Sequence, residues 1–359
     1  MSISVIIPFY RRHYNLKFCL QGLNAQRSSC FDVIVSAFEV DSQLEQICNP
    51  YPFVRIEAMS GIQWSVARSR NTGIRAATGE VLLFLDADIL AQPNLVELHR
   101  AVQIESKLSC MVPGRVLNFF PYKQSSGLYT EIIEESNISD LLFDAENRLP
   151  SDERWGLPKP IPLPWSLCWS GNLSIPRKTV LDNELYFNET FIGWGCEDLE
   201  WSYRAYQTGC QVKFCREAWG IHLPHSRHIK QQITSEKKNF RKFLQNYPTF
   251  EVEILTWLND IEANRSFLDI LLDISKVRGL SIYDAQKSLM MGFLPNRLRL
   301  GIDKLEPDEK ALFLLGIVTP FEKNTFDEVI VPNWIERLPT YLRLPIQIEM
   351  NRICKKELI

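Results

Sequence analysis

Apolar residues in the first hundred positions fall into short unbroken runs separated by stretches with helical spacing. Positions 3–7 are almost continuously apolar, while 15–26 places Leu16, Cys19, Leu20 and Leu23 on one helical face, which predicts a strand followed by an amphipathic helix. Further strands are predicted over 31–38, 53–58 and 80–85, with a helix over 64–77 that stops at Thr78-Gly79. Strands that lack polar alternation and are separated by helices predict an α/β fold on a mainly parallel sheet flanked by helices. In such a sheet, ligands sit beyond the C-terminal ends of the strands.

Prolines at 150, 158, 160, 162 and 164, with Gly156, predict a loop over a site rather than a regular element. After it, 173–175 reads as a strand, 197–207 as a helix with Leu199, Tyr203 and Tyr206 at helical spacing, and 212–214 as a strand. Beyond His228 the pattern becomes helical only: Ile229, Ile233, Phe240, Phe243, Leu244 and Tyr247 share one face, and 267–274 forms another helix. The expected division is an α/β domain over 1–228 and an all-helical C-terminal region over 229–359.

Composition narrows the classes. The 359 residues are 45% hydrophobic and 23% charged, as in ordinary globular proteins. Forty Lys plus Arg against 43 Asp plus Glu leaves a formal charge of −3, which supplies no whole-protein field for nucleic acid. Nine cysteines without a Cys-x-x-Cys pair read as reduced thiols and point to a cytoplasmic location. The N-terminus reads as a strand rather than a signal peptide, and 81–91, the most apolar segment, is too short to span a bilayer. Lys230, Lys237, Lys238, Arg241 and Lys242 crowd one predicted helix. Such a face is ordinarily solvated, and it also suits peripheral contact with the inner face of a membrane, a peptide acceptor or a second subunit.

Asp86-Ala87-Asp88 directly follows a predicted strand, so two hard oxygen ligands can project together toward magnesium or manganese. Asp-x-Asp alone equally serves turn chemistry. Glu197-Asp198 opens a predicted helix, where acids are favoured by the helix dipole. Preceded by Gly193-Trp194-Gly195, which allows close backbone approach and offers an apolar face for a sugar ring, the pair reads as a catalytic carboxylate with a substrate-positioning neighbour. His222, His225 and His228 follow at intervals of three, and on an extended loop they are expected not to converge into a zinc site.

Ser69-Arg70-Asn71-Thr72-Gly73, Ala77-Thr78-Gly79-Glu80 and Leu85-Asp86-Ala87-Asp88 occur in an order and spacing that resembles the inverting family-2 glycosyltransferases of GT-A fold. The run Ser4 to Arg12, with Pro8, Tyr10 and Arg11, resembles that family's first strand and nucleotide-contacting loop. Trp169-Ser170-Gly171-Asn172 and Gly193-Trp194-Gly195-Cys196-Glu197-Asp198 extend the likeness toward galactosyltransferases and chondroitin-type polymerase domains. The resemblance covers residues 1 to about 225.

What it implies is a metal-dependent inverting transfer of a hexose or N-acetylhexosamine from a UDP-sugar to the hydroxyl of a glycan, lipid-linked or peptide acceptor. Asp198 is implied as general base and Glu197 as the acceptor-binding neighbour. Asp88 and His222 are implied as ligands of Mn2+ or Mg2+, with Asp86 nearby and His225 as the second choice for the imidazole. Arg70 ranks first among cations for the diphosphate, ahead of Arg11, Arg227 and Lys230, and Trp194 faces the sugar. The family's second strand ends in an Asp for the nucleobase, whereas here only Glu39 or Asp41 is available. The Gln-x-x-Arg-Trp segment of processive synthases is absent. Two rivals are a sugar-phosphate nucleotidyltransferase, disfavoured because Pro8-Phe9-Tyr10 lacks a Gly-rich loop, and a non-catalytic carbohydrate-binding scaffold, disfavoured by the retained acids at 86, 88, 197 and 198.

Overall fold

A computed structural model describes residues 1–59, 61, 63–119 and 138–356. They form two compact units, one of residues 1–156 and 164–236, the other of 157–163 and 237–359.

The first unit opens with β1 (Ile3–Phe9), α1 (His13–Asn24), β2 (Phe31–Ala37), α2 (Ser42–Cys48), β3 (Val54–Ala58), α3 (Val66–Ala76), β4 (Val81–Leu85), β5 (Ile89–Ala91), α4 (Leu95–Glu105) and β6 (Cys110–Leu117). After short helices α5 (Ile138–Leu142) and α6 (Ala145–Arg148) come β7 (Asn172–Pro176), α7 (Arg177–Asp182), α8 (Glu197–Gln207), β8 (Gln211–Val212) and β9 (Cys215–His222). One sheet runs β3-β2-β1-β4-β7-β6-β9-β5, with β8 on β6. The strands β3, β2, β1 and β4 are mutually parallel, β7 lies antiparallel between β4 and β6, and β6 is parallel to β9. This is the mainly parallel, helix-flanked α/β architecture expected from the unalternating apolar strands.

Burial on both faces explains that pattern. Ile3, Val5 and Ile7 pack with Val33, Val35, Leu83 and Leu85 against Leu16, Cys19 and Leu20 of α1. On β4, Phe84 meets Trp201 edge to face at 5.4 Å, and Trp201 stacks on Phe187 at 4.9 Å. Because β1, β2 and β4 are parallel, Tyr10 to Arg12, Phe38 to Glu39 and Asp86 to Asp88 all emerge at one edge of the sheet. The antiparallel entry of β7, with Asn172 opposite Leu85, brings Trp169 to Gly171 to that same edge.

In the second unit, α10 (Phe250–Leu258), α11 (Asp260–Arg278), α12 (Ile282–Lys287) and α13 (Thr340–Ile353) accompany part of α9 (Ile229–Asn246), inside which the two units divide. The expectation of helices alone is corrected here. A four-stranded sheet in the order β12-β10-β11-β13 is built from β10 (Met290–Leu294), β11 (Arg297–Arg299), β12 (Lys310–Phe313) and β13 (Glu328–Ile330). Strands of three to five residues, two of them beyond long connections, are too short to show an alternation. The buried Glu253 of α10 accepts from the backbone N–H groups of Leu315, Gly316, Ile317 and Val318. Among the described residues no helix is long and apolar enough to cross a membrane.

Candidate active site

Asp88 is 1% exposed and sits just before β5, which pairs with β9 so that Ile89 lies opposite His222. The Leu223 N–H donates to the Asp88 carbonyl at 2.8 Å and fixes the chain as it leaves β9. That turn carries His225 back to the aspartate: Asp88 Oδ2 lies 3.2 Å from His225 Nε2 and 3.8 Å from His222 Nε2. The two histidines expected to stay apart therefore converge, because His222 ends a strand rather than lying in a loop. His228 lies just before α9 and is not part of this group.

Asp88, His222 and His225 offer ligand atoms within 4.8 Å of one another. The donor set of one carboxylate and two imidazoles suits a divalent cation. Asp88 Oδ1 is buried with no hydrogen-bond partner among the described residues, an orphan that such an ion would satisfy. Protonation states fit as well. Burial alone would raise the Asp88 carboxyl, but Arg12, and then His222, His225 and Arg227, draw it down to about 2. Burial holds the imidazoles of His222 and His225 at about 3 and about 4, so both are neutral near pH 7 and able to donate a lone pair.

Arg70 and Asp86 form the next part of the site. Ser65 caps α3 by accepting from Arg68 N at 3.3 Å, and the helix then presents Arg70 inward. Its guanidinium donates to Asp86 Oδ1 at 3.1 Å and to Glu197 Oε1 at 2.8 Å, with Phe187 beneath it at 5.3 Å. Arg70 is 3% exposed, so both of these contacts are drawn from a charge that water does not reach. Burial, then the neighbouring Asp198, pushes the Glu197 carboxyl up against the pull of Arg70.

Asp198 differs from its neighbour in being half-buried. Its Oδ2 accepts from Ser170 N at 3.2 Å and Ser170 Oγ at 3.3 Å, and its Oδ1 from Leu199 N at 2.9 Å. The turn before α8 needs left-handed backbone at Gly193 (φ 85°), Gly195 (φ 90°) and Cys196 (φ 78°). At Gly193 a Cβ would stand 2.6 Å from the Ser235 Cβ, so only glycine fits. Ser235 Oγ in turn accepts from Trp194 N at 3.0 Å and donates to Trp194 O at 3.2 Å, which fixes the half-buried Trp194.

Around the end of β1, Tyr10 stacks on Trp64 at 5.3 Å and meets Phe38 edge-on at 5.5 Å. Arg11 lies over the Tyr10 ring at 4.7 Å and pairs with Glu39 at 3.4 Å. Pro8 is buried within β1, opposite Ser36. Asp41 caps α2 by accepting from Leu44 N at 2.8 Å. The residues that motif reading did not single out are Ser170 beside Asp198 and Arg12 on Asp88. Arg12 adjoins Arg11 and ends the run from Ser4 that resembles a nucleotide-contacting loop, which is its signal in the sequence.

Residues 4–143 match the family described as Glycosyl transferase family 2. Over 266 residues the chain is 27% identical to a validoxylamine A glucosyltransferase of Streptomyces hygroscopicus subsp. jinggangensis, covering 70% of this chain and 62% of that protein. The chain thus spans about six tenths of that relative's length. It is 26% identical over 376 residues to the uncharacterized glycosyltransferase YfnE of Bacillus subtilis, covering 94% and 87% of the two chains. Among solved structures, S. aureus TarS 1-349 is similar with a TM-score of 0.47 and 14% identity over 87% of this chain and 99% of that one.

Proposed function

We propose that the chain is a metal-dependent inverting glycosyltransferase that moves a hexose or N-acetylhexosamine from a UDP-sugar to an acceptor hydroxyl. The observation that carries the reading is the convergence of Asp88, His222 and His225 at the edge of a parallel sheet, with Asp198 reachable beside the Arg70-Glu197 pair. The glycosyltransferase relatives support sugar transfer from a nucleotide sugar, and the glucosyltransferase among them keeps glucose beside galactose and their N-acetyl forms as donor sugars.

In this reading Asp198 takes the proton of the acceptor hydroxyl as that oxygen attacks the anomeric carbon, and a single displacement inverts the linkage. Ser170, by donating to Oδ2, holds the carboxylate in one orientation. Glu197, tied to Arg70, shapes the acceptor side rather than accepting the proton. A divalent cation on Asp88 and the histidines would offset charge on the departing diphosphate. Tyr10, Trp64, Phe38 and the Arg11-Glu39 pair form the wall proposed for the nucleobase.

Residues 229–359 are proposed to bind the acceptor, a glycan, lipid-linked or peptide substrate, or a partner. Nine unpaired thiols support a cytoplasmic setting. The test is a UDP-release screen across UDP-sugars with manganese, first without acceptor and then with candidate acceptors. Metal-dependent release from one UDP-sugar is the expected result, and no release from any of them contradicts the reading.

A further inference from the structure

Two guanidinium groups cover the atoms that would hold the cation. Arg12 Nη1 donates to Asp88 Oδ2, the oxygen nearest both imidazoles. Arg227 Nη2 donates to His222 Nε2 at 2.9 Å, and Arg227 Nε donates to His225 Nε2 at 3.3 Å. Each of these three atoms therefore already carries an arginine N–H. Arginine does not lose its proton in proteins, so a divalent cation meets two fixed positive charges on its own ligands. It can enter only when those groups move.

We infer that Arg12 and Arg227 are the diphosphate-binding residues of this site, and that without donor they stand in for the metal on its ligands, so that cation and diphosphate bind as a coupled pair. The inference rests on the metal-dependent transfer proposed above. Arg70 is shared between two carboxylates, and Arg12 and Arg227 touch the groups a cation would claim. Each phosphoryl group of a diphosphate offers paired non-bridging oxygens that the planar guanidinium fork can donate to together. When the two arginines swing onto those oxygens, Asp88 Oδ2 and both Nε2 atoms are freed together. Arg12 has room for the movement, with 41% of its side chain exposed. Linkage makes the effect reciprocal: the factor by which UDP tightens the metal equals the factor by which the metal tightens UDP.

The experiment follows manganese binding to the full chain through the electron paramagnetic resonance signal of the free ion, with no addition, with uridine and with UDP. Wild type is expected to bind manganese weakly alone, no better with uridine, and at least about tenfold more tightly with UDP, the scale of one charge-assisted hydrogen bond. Arg12→Gln is expected to bind manganese alone about tenfold more tightly than wild type and to lose most of the UDP enhancement. Arg227→Gln should move in the same direction. Because Arg227 is buried and Arg12 is not, Arg12→Gln carries the test if the other variant does not fold. Unchanged manganese affinity and unchanged UDP enhancement in Arg12→Gln, in a chain whose wild type shows the enhancement, overturns the inference and leaves the metal reading standing. A wild-type chain that holds no manganese with or without UDP overturns both.

Discussion

Arg70 donates to Glu197 at 2.8 Å across 127 residues of sequence and joins α3 to the start of α8. The contact lies out of water, since the side chain of Arg70 is 4% exposed and that of Glu197 9%. Removing one partner from such a pair leaves a buried charge uncompensated, which costs roughly 3–5 kcal/mol, whereas an amide in place of the carboxylate keeps a hydrogen bond. Arg70→Ala is therefore expected to destabilise the protein severely, and Glu197→Gln by only about 1 kcal/mol. Thermal unfolding of Arg70→Gln, Glu197→Gln and the double variant checks the coupling, which should come out between about 0.5 and 3 kcal/mol. Additive effects would show that the two groups do not hold each other.

The metal ligands separate by affinity. Asp88→Ala and His222→Ala are each expected to weaken manganese-dependent UDP binding by at least about tenfold, because each removes one donor atom from the ion. Calorimetry of UDP with manganese measures it. His225 lies nearer Asp88 than His222 does, so His225→Ala decides whether one imidazole or two serve the ion. No loss in His222→Ala with a large loss in His225→Ala moves the assignment by three residues.

Acid stability has a source remote from the site. His99 is fully buried, with its ring nitrogens 3.0 Å from Ser174 Oγ and 2.9 Å from Asn172 Oδ1. Burial lowers its pKa from 6.5 to about 4, against the opposing Asn172 contact. An unfolded chain takes up this proton near 6.5 and the folded chain only near 4, so the unfolded state holds more protons between those values. Stability is thus full above 6.5 and falls as the pH drops toward 4, by up to about 1.4 kcal/mol per pH unit and roughly 3 kcal/mol in all. His222 and His225 act with the same sign. Urea midpoints from pH 7 to 4.5 should show a shallower slope in His99→Gln than in wild type, and an identical slope would contradict the assignment.

Local patterns carried much of this fold. The apolar runs at β1, β2 and β4 and the position of Asp86 and Asp88 at a strand end follow from burial on both sheet faces, and α8 begins and ends where its spacing predicts. Strand β6 was hidden because Pro113, Gly114 and Arg115 interrupt its apolar run, although Arg115 is buried within the fold. The convergence of His225 on Asp88 depends on the pairing of β5 with β9 and on one hydrogen bond from Leu223, neither of which leaves a mark in nearby sequence. Arg12 and Arg227 are likewise defined by what they touch. Short strands at 290–330 escaped for want of length, and the segment 120–137 lies outside the described residues.

The most direct measurement is UDP-sugar turnover by Asp198→Asn beside Glu197→Gln, each paired with calorimetry of UDP and manganese. Asparagine keeps the shape of the side chain and can still accept from Ser170 but cannot take a proton, so turnover should fall by roughly 10²- to 10⁴-fold with UDP binding nearly intact. Glu197→Gln should mainly impair acceptor use. Near wild-type turnover in Asp198→Asn together with a dead Glu197→Gln would contradict the account and make Glu197 the base.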